Sequence, residues 1–188
     1  MSALRSDAAR SRARILDAAR TLDRATLRLN DVAREAGVGV GTVYRHFPTV
    51  HALVEALSAD TLDTMLATSR RAAADPDPGD GLALYLRSAL TLQLEDGGLQ
   101  AVLLSPADEA ESVRTAKREI FESFTTVLES AQAAGIVRPE LTVDHLAHLV
   151  CGIEHAVRLG SPDDFPLLLQ VMLDGLRPPT AVKTCRRQ

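Results

Sequence analysis

Apolar residues along this chain recur mostly every three or four positions, the spacing of residues that share one face of a helix. Val113, Ile120 and Phe124 follow this spacing within a predicted long helix over residues 108–134. We find no segment in which apolar and polar residues alternate as in a half-buried strand. The pattern predicts an all-α protein of about nine helices. The predicted helices cover residues 8–24, 31–36, 41–47, 50–74, 82–94, 99–104, 108–134, 142–159 and 163–176.

Glycine, proline and hydroxyl residues mark where these helices start and stop. Gly37 supplies the left-handed position that ends a helix at low cost. Thr49 and Thr142 are suited to accept the free amide hydrogen bonds at a helix start. Residues 75–81, rich in proline, glycine and aspartate, predict a loop between two helices.

Residues 26–57 form the segment with the clearest functional pattern. Two short helices, over residues 31–36 and 41–47, flank the turn at Gly37, and Pro48 stops the second. This layout is the helix-turn-helix arrangement, in which the second helix enters the major groove of DNA.

The run AREAGVGVGTVYRHFPTVHALVEAL, residues 33–57, closely resembles the DNA-binding segment of TetR-family transcriptional regulators. The matching residues are Ala33, Ala36-Gly37-Val38, Thr42 to Phe47, and Ala52-Leu53. The resemblance implies a sequence-specific DNA-binding regulator, more often a repressor that a small-molecule effector releases from DNA.

The same resemblance implies two domains. Residues 1–49 would form the helix-turn-helix DNA-binding domain, in which residues 1–7 are expected to be a mobile arm. Residues 50–177 would form a helical domain for ligand binding and dimerisation, and residues 178–188 are expected to be a disordered tail.

The resemblance also assigns roles within the DNA-binding segment. Positions matching Tyr44 and His46 commonly contact phosphates in the family. The positions that lie nearer the bases match Val40, Gly41, Thr42 and Arg45. Val43 and Phe47 are expected to hold the two helices together in the core. By charge or position, Arg12 and Arg14 on the first helix can reach phosphates, and Asn30 a base or a phosphate. The candidate DNA-binding residues are Arg12, Asn30, Val40, Gly41, Thr42, Tyr44, Arg45 and His46.

Two positions depart from the family pattern. Arg28 stands where a capping threonine is common, so Asn30 or Asp31 is expected to cap the second helix, which would start slightly later. Val50 stands where a lysine usually holds phosphate, and His51 is at best a partial substitute. We expect a weaker grip on the DNA backbone. The alternative is a helical adaptor that has lost DNA binding.

Charge is distributed unevenly along the chain, whose net charge is −4. Residues 1–50 carry nine arginines and five acidic residues, a net +4, whereas residues 51–188 carry 12 basic and 20 acidic residues, a net −8. A basic module on an acidic body suits a protein that meets phosphates at one end.

Several classes of protein lack support in the sequence. No apolar run is long enough for a membrane span, and the N-terminus has no signal-peptide core, so a cytoplasmic protein is expected. Cys151 and Cys185 are far apart, which argues against a structural disulfide. No nucleophile motif, phosphate-binding glycine loop or paired acids indicate an enzyme, and no cofactor is predicted.

The last two helices are apolar on most sides, which favours burial against a second copy of the chain. We expect a homodimer on a pseudo-palindromic double-stranded DNA site. The effector is unknown, and a mostly apolar small molecule is the default. For each candidate lining residue, packing in the core is the competing explanation. These residues are Leu62, Met65, Tyr85, Leu86, Phe121, Phe124 and His148.

One polar face suggests a metal-responsive regulator as a further alternative. His145, His148, Cys151 and His155 share one side of the helix over residues 142–159. Such spacings can hold a transition metal. Since a semi-polar face at an interface explains them equally well, no metal ligand is assigned.

Overall fold

The computed structural model describes residues 2–179, except for the side chains of residues 2–6 and 25, and those residues form helices without any strand. The all-α prediction is thereby confirmed. The ten α-helices of this part of the chain are α1 (Ser2–Arg20), α2 (Leu29–Ala36), α3 (Val40–His46), α4 (Val50–Leu57), α5 (Ala59–Ala73), α6 (Pro78–Glu95), α7 (Leu99–Leu104), α8 (Glu111–Ala133), α9 (Val143–Leu159) and α10 (Phe165–Leu176). Two short 3₁₀ turns occupy Arg24–Thr26 and Pro162–Asp164.

The prediction of a single helix over residues 50–74 is wrong, because the helix breaks at Ser58. Ser58 is fully buried and has backbone angles of φ −94° and ψ 6°. Gly98, just before α7, lies against this break. A Cβ atom at Gly98 would lie 2.9 Å from Val54 Cγ1 and 3.0 Å from Ser58 Oγ. The absence of a side chain at Gly98 therefore allows α7 to start close to the break.

Helix starts also differ from the predictions. The mobile arm predicted over residues 1–7 is helical from Ser2, and Met1 lies outside the described residues. Helix α6 starts at Pro78 instead of residue 82. Its start is stabilised by Asp77, whose carboxylate accepts the amides of Gly79 at 2.8 Å and Asp80 at 3.0 Å. Proline fits the first position of a helix because its missing N–H has no intrahelical partner there.

Helix α2 starts at Leu29, so the predicted later start with a cap from Asn30 or Asp31 is wrong. Arg28 occupies the cap position in extended conformation and its side chain makes no capping bond. The Arg28 carbonyl accepts from the amides of Asp31 at 3.0 Å and Val32 at 3.1 Å. Backbone geometry alone therefore begins this helix.

The caps predicted at Thr49 and Thr142 are confirmed. Thr49 Oγ1 accepts from the Ala52 amide at 2.9 Å. Thr142 Oγ1 accepts from the His145 amide at 3.3 Å, and His145 Nδ1 accepts from the Thr142 amide at 3.1 Å. Both helices therefore begin with one of their free amides satisfied.

The chain divides into two compact units. The first takes the residues up to Leu66 and Glu95–Arg118, and the second takes Ala67–Leu94 and the residues from Glu119 onward. Helix α4 thus belongs to the same compact unit as the helix-turn-helix, whereas the domain boundary predicted from the sequence falls between residues 49 and 50. The predicted division into a DNA-binding domain and a ligand-binding domain at this boundary stays a prediction. Of the tail predicted over residues 178–188, residues 180–188 lie outside the described part.

Each unit has its own apolar core. Ile15, Val32, Val43 and Leu53 are fully buried in the first unit. In the second unit, the fully or almost fully buried residues include Leu86, Ile120, Phe124, Leu146 and Leu169. Burying each such side chain contributes about 1.5–3 kcal/mol. None of the described helices is long and apolar enough to cross a membrane.

Candidate DNA-binding surface

The short helix α3 presents some side chains outward and anchors others. Val43 is fully buried and Phe47, just after the helix, is 2 % exposed, so the predicted core roles of both residues are confirmed. By contrast, Tyr44 is 49 % exposed and Val40 is 44 % exposed. A half-exposed tyrosine and valine beside a buried anchor leave a surface available for a partner.

The turn before α3 is held by α1. Gly37 has φ 60° and ψ 38°, the left-handed conformation expected for this glycine. Arg14 Nη2 donates to the carbonyl oxygens of Ala36 at 2.6 Å and Gly37 at 3.2 Å. These bonds satisfy carbonyls at the end of α2. Two donors of Arg14 are thus engaged in holding the turn, so the proposed phosphate role for Arg14 gains no support.

Arg45 is tied to its own helix but keeps most of its donors. Its Nε donates to the Gly41 carbonyl at 3.2 Å, and its Nη2 donates to Thr42 Oγ1 at 3.2 Å. The guanidinium has five N–H donors, so others remain for bases or phosphates. Gly41 itself is exposed, and a Cβ added there would meet no atom within 4 Å. Three of the candidates therefore form one connected patch.

Arg12 and His46 flank the buried ring of Phe47. The Arg12 guanidinium carbon lies 5.0 Å from the centre of this ring, in a cation–π arrangement. The His46 ring centre lies 6.3 Å from it, and His46 is half-buried. Arg12 is exposed, so its charge stays accessible while its position is constrained.

A concavity of about 280 Å³ lies between α2, α3 and α4. Arg28, Asn30, Tyr44, Thr49 and Val50 line it, together with Leu29 and Pro48. Arg28 is exposed, and its side chain makes no ion pair or hydrogen bond with the described residues. Arg28 and Val50, the two residues that depart from the family pattern, therefore line the same concavity.

His51 does not face that concavity. Its Nε2 atom is enclosed and lies 3.1 Å from Glu55 Oε1, on the other side of α4. From the sequence, His51 was at best a partial substitute for the missing lysine, and its contact with Glu55 lends that role no support.

Sequence reasoning missed Glu55, which joins α4 to the residues before α8. This side chain is 2 % exposed, and its carboxylate accepts the amides of Glu109 at 2.8 Å and Ala110 at 3.0 Å. Thr49 Oγ1 adds a bond to Glu109 Oε1 at 2.9 Å. The available signal was a lone acidic residue among the apolar residues of α4. A carboxylate buried in this way needs such partners.

The candidate effector residues differ in their surroundings. Tyr85 and Phe124 stack in the second unit with ring centres 4.1 Å apart. Burial raises the pKa of the Tyr85 phenol well above its usual range, and its hydrogen bond with Ser69 opposes that rise. Leu86 is fully buried and Phe121 is half-buried. Leu62 and Met65 are buried in the first unit. His148 is exposed, so it does not share the buried environment expected for it.

The polar face of α9 gathers no metal site in the described residues of this chain. His145, His148 and His155 are exposed, Cys151 is half-buried, and these side chains do not bring three ligand atoms within reach of one ion. The same helix and α10 also expose large apolar side chains. Leu149 is 43 % exposed, Leu159 76 %, Leu167 65 % and Val171 60 %.

Two family models match the chain. One is described as the C-terminal domain of SbtR-like transcriptional regulators and matches residues 77–178. The other is described as bacterial regulatory proteins of the tetR family and matches residues 15–57. The second match contains the helix-turn-helix segment, and the first contains the whole of α6 to α10.

Solved structures give the same answer. The TetR transcriptional regulator of Streptomyces coelicolor is 30% identical, covering 90% of this chain and 99% of that chain at a TM-score of 0.53. The ketosteroid transcriptional regulator KstR2 of Mycobacterium tuberculosis is 19% identical, with 89% and 95% coverage and a TM-score of 0.62. FadR of Bacillus subtilis, in complex with stearoyl-CoA, is 16% identical, with 88% and 99% coverage and a TM-score of 0.57. These last two share the fold alone. No curated protein matches this chain.

Proposed function

Since the chain belongs to the TetR family of DNA-binding transcriptional regulators, we propose that it is a homodimeric repressor that a small-molecule effector releases from DNA. Regulators of this family bind DNA operators, typically as dimers, and respond to small molecules. The operator is a pseudo-palindromic double-stranded site, because two-fold related modules bind two-fold related half-sites.

The exposed patch on α3 carries the proposal. Thr42, Tyr44 and Arg45 project hydrogen-bonding groups from a helix whose other side is anchored by Val43 and Phe47. Arg45 is suited to guanine O6 and N7, and the hydroxyls of the other two to phosphates or bases. His46, Val40, Gly41 and Asn30 complete the proposed contact surface, with Arg12 at its border.

In this proposal, Arg28 makes the contact with a DNA backbone phosphate that Val50 cannot make. Arg28, whose side chain makes no bond with the described residues, lines the concavity together with Tyr44 and Thr49. A guanidinium binds a phosphate through two parallel N–H donors, which a single lysine ammonium does not offer. The adaptor alternative rested on Val50 alone, and the presence of Arg28 beside Val50 supports DNA binding over that alternative.

A second copy of this chain would cover the exposed apolar residues of α9 and α10. Leu159 and Leu167 are each more than half exposed, as is Val171. Placing such residues against an equivalent surface removes apolar area from water and favours association. Dimerisation then provides the two DNA-binding modules that one operator requires.

The proposed effector is mostly apolar. In the second unit, the rings of Tyr85 and Phe124 stack on each other, and Leu86 is fully buried. The polar atom of Tyr85 is already bonded to Ser69. An apolar effector that binds more tightly to the state unable to hold DNA would shift the population toward that state.

DNA binding is tested by fluorescence anisotropy with the DNA upstream of the chain's own gene. We expect salt-sensitive binding, and a loss in Arg45→Ala of about 5- to 150-fold for each half-site, which corresponds to about 1–3 kcal/mol for one base contact in each protomer. Arg87→Ala is the matched control, because Arg87 is an exposed arginine on α6 in the second unit. Equal affinity of both variants would contradict the assignment, and no binding by the wild type at low salt would favour the adaptor.

A further inference from the structure

Three potential metal ligands meet where α4 faces the residues before α8. His51 and Glu55 are four residues apart on α4 and so share one face of the helix. With Asp108, they bring one nitrogen and two carboxylate oxygens within 4.8 Å of one another. All three residues belong to the first compact unit. They are separate from the histidine face of α9.

The state of His51 is unusual for a histidine used only in packing. Its Nε2 atom is enclosed by protein but makes no hydrogen bond with the described residues, although Glu55 Oε1 is 3.1 Å away. Enclosed polar atoms normally have a partner. A cation placed between this nitrogen and the neighbouring carboxylates would provide one.

Each carboxylate keeps a free coordinating position. Glu55 accepts one backbone amide on each oxygen, from Glu109 and Ala110, and each oxygen has a second lone pair. Asp108 Oδ1 accepts from Lys117 Nζ at 2.7 Å, and its other oxygen is available. The two carboxylates and the ammonium of Lys117 sum to a net charge of −1, which attracts a cation.

We propose that His51, Glu55 and Asp108 bind a divalent transition-metal ion such as Zn²⁺. An ion with bonds of about 2.1 Å holds adjacent ligand atoms about 3.0–3.4 Å apart, which matches the separation between His51 and Glu55. A small rotation of Asp108 would bring in the third ligand, and water would complete the coordination. Imidazole as a ligand favours transition metals over Mg²⁺ and Ca²⁺, which prefer oxygen alone.

Such an ion would join α4 to the segment before α8. Helix α4 follows directly on the recognition helix through Thr49, which already bonds Glu109. The ion adds a third connection to those made by Thr49 and Glu55. Metal binding therefore stabilises the first unit and makes its melting temperature depend on metal concentration.

The test is isothermal titration of chelator-treated full-length protein with ZnCl₂, with mass spectrometry for stoichiometry. We expect one Zn²⁺ per chain, and a loss of at least about tenfold in His51→Ala, since removing even an outer partner of a ligand costs about 10- to 100-fold. Asp108→Asn weakens binding as well. The matched control is His148→Ala, an exposed histidine on α9, which should bind Zn²⁺ as the wild type does.

Melting temperatures give a second measurement that does not involve DNA. Zn²⁺ should raise the melting temperature of the wild type and of His148→Ala but not that of His51→Ala. Circular dichroism verifies that each variant is folded. Absence of Zn²⁺ binding, unchanged binding in His51→Ala, or loss in His148→Ala instead would each overturn the proposal. None of these outcomes bears on the proposed DNA binding.

Discussion

Replacing Arg28 by alanine should weaken operator binding in a salt-dependent way. Arg28 lies in the concavity with Val50, is exposed, and makes no bond through its side chain with the described residues. The substitution therefore leaves the fold almost unchanged, within about 0.5 kcal/mol, as for surface positions in general. Its effect on DNA binding comes from the loss of one phosphate contact in each protomer.

The magnitude follows from counterion release. Each phosphate contact contributes about 0.9 to the slope of log affinity against log salt, so the two contacts of a dimer contribute about 1.8. When salt rises from about 50 mM to about 200 mM, the advantage of the wild type over Arg28→Ala should shrink by about 12-fold. A base contact, by contrast, would give a loss that changes little with salt.

Fluorescence anisotropy at several salt concentrations measures these slopes. The matched control is again Arg87→Ala, which removes the same charge from an exposed position of α6. Because Arg28 and Val50 line one concavity, Val50→Lys should raise affinity more in the Arg28→Ala background than in the wild type. Parallel salt plots for wild type and Arg28→Ala would refute the reasoning, as would equal gains from Val50→Lys in both backgrounds.

Two further predictions concern the DNA-facing helix and the subunit interface. A methyl group at Gly41 would meet no protein atom within 4 Å, so Gly41→Ala should leave the free energy of unfolding unchanged or raise it by up to about 1 kcal/mol. The same methyl group should block the close approach of DNA and lower operator affinity by at least about tenfold. Undiminished affinity would show that DNA does not approach Gly41. Leu167 is 65 % exposed, so Leu167→Glu should stay folded but elute as a monomer in light-scattering chromatography. A persistent dimer would place the interface elsewhere.

Features that depend on neighbours in sequence were predictable. The left-handed turn at Gly37 and the cap at Thr49 each involve residues within a few positions, so the residue types alone indicate them. The buried roles of Val43 and Phe47 follow from the family motif and from their spacing. The resemblance further supplied the family, which composition and periodicity alone would not have done.

Features that depend on distant residues were not predictable. Glu55 is stabilised in the core by amides 54 and 55 residues away in sequence, and no local pattern indicates those partners. The break at Ser58 coincides with the close approach of Gly98, again from a remote segment. The residue types at positions 55 and 58 do not by themselves indicate a tertiary contact that overrides local propensity.

Charge alone also failed to separate the arginines of the first helix. Arg12 and Arg14 looked equivalent, since both are basic residues two positions apart. In the fold, Arg14 donates to the carbonyls that end α2, whereas Arg12 lies over the Phe47 ring and keeps its charge exposed. Residues two apart on a helix point about 200° apart, so equal charge does not imply an equal environment.

The substitutions at Arg28 and Val50 show why departures from a motif should be weighed in three dimensions. Considered alone, Arg28 removes the side chain that would cap α2, and Val50 removes the cation of the usual lysine. The cap proves unnecessary because the Arg28 carbonyl begins α2 without side-chain help. The cation is missing from α4 but present on the facing edge of the same concavity. A phosphate held there would be bound from the α2 side, by a planar group whose orientation matters more than that of an ammonium. The positive charge of this concavity would then come from Arg28, at the start of α2, and not from a lysine at position 50.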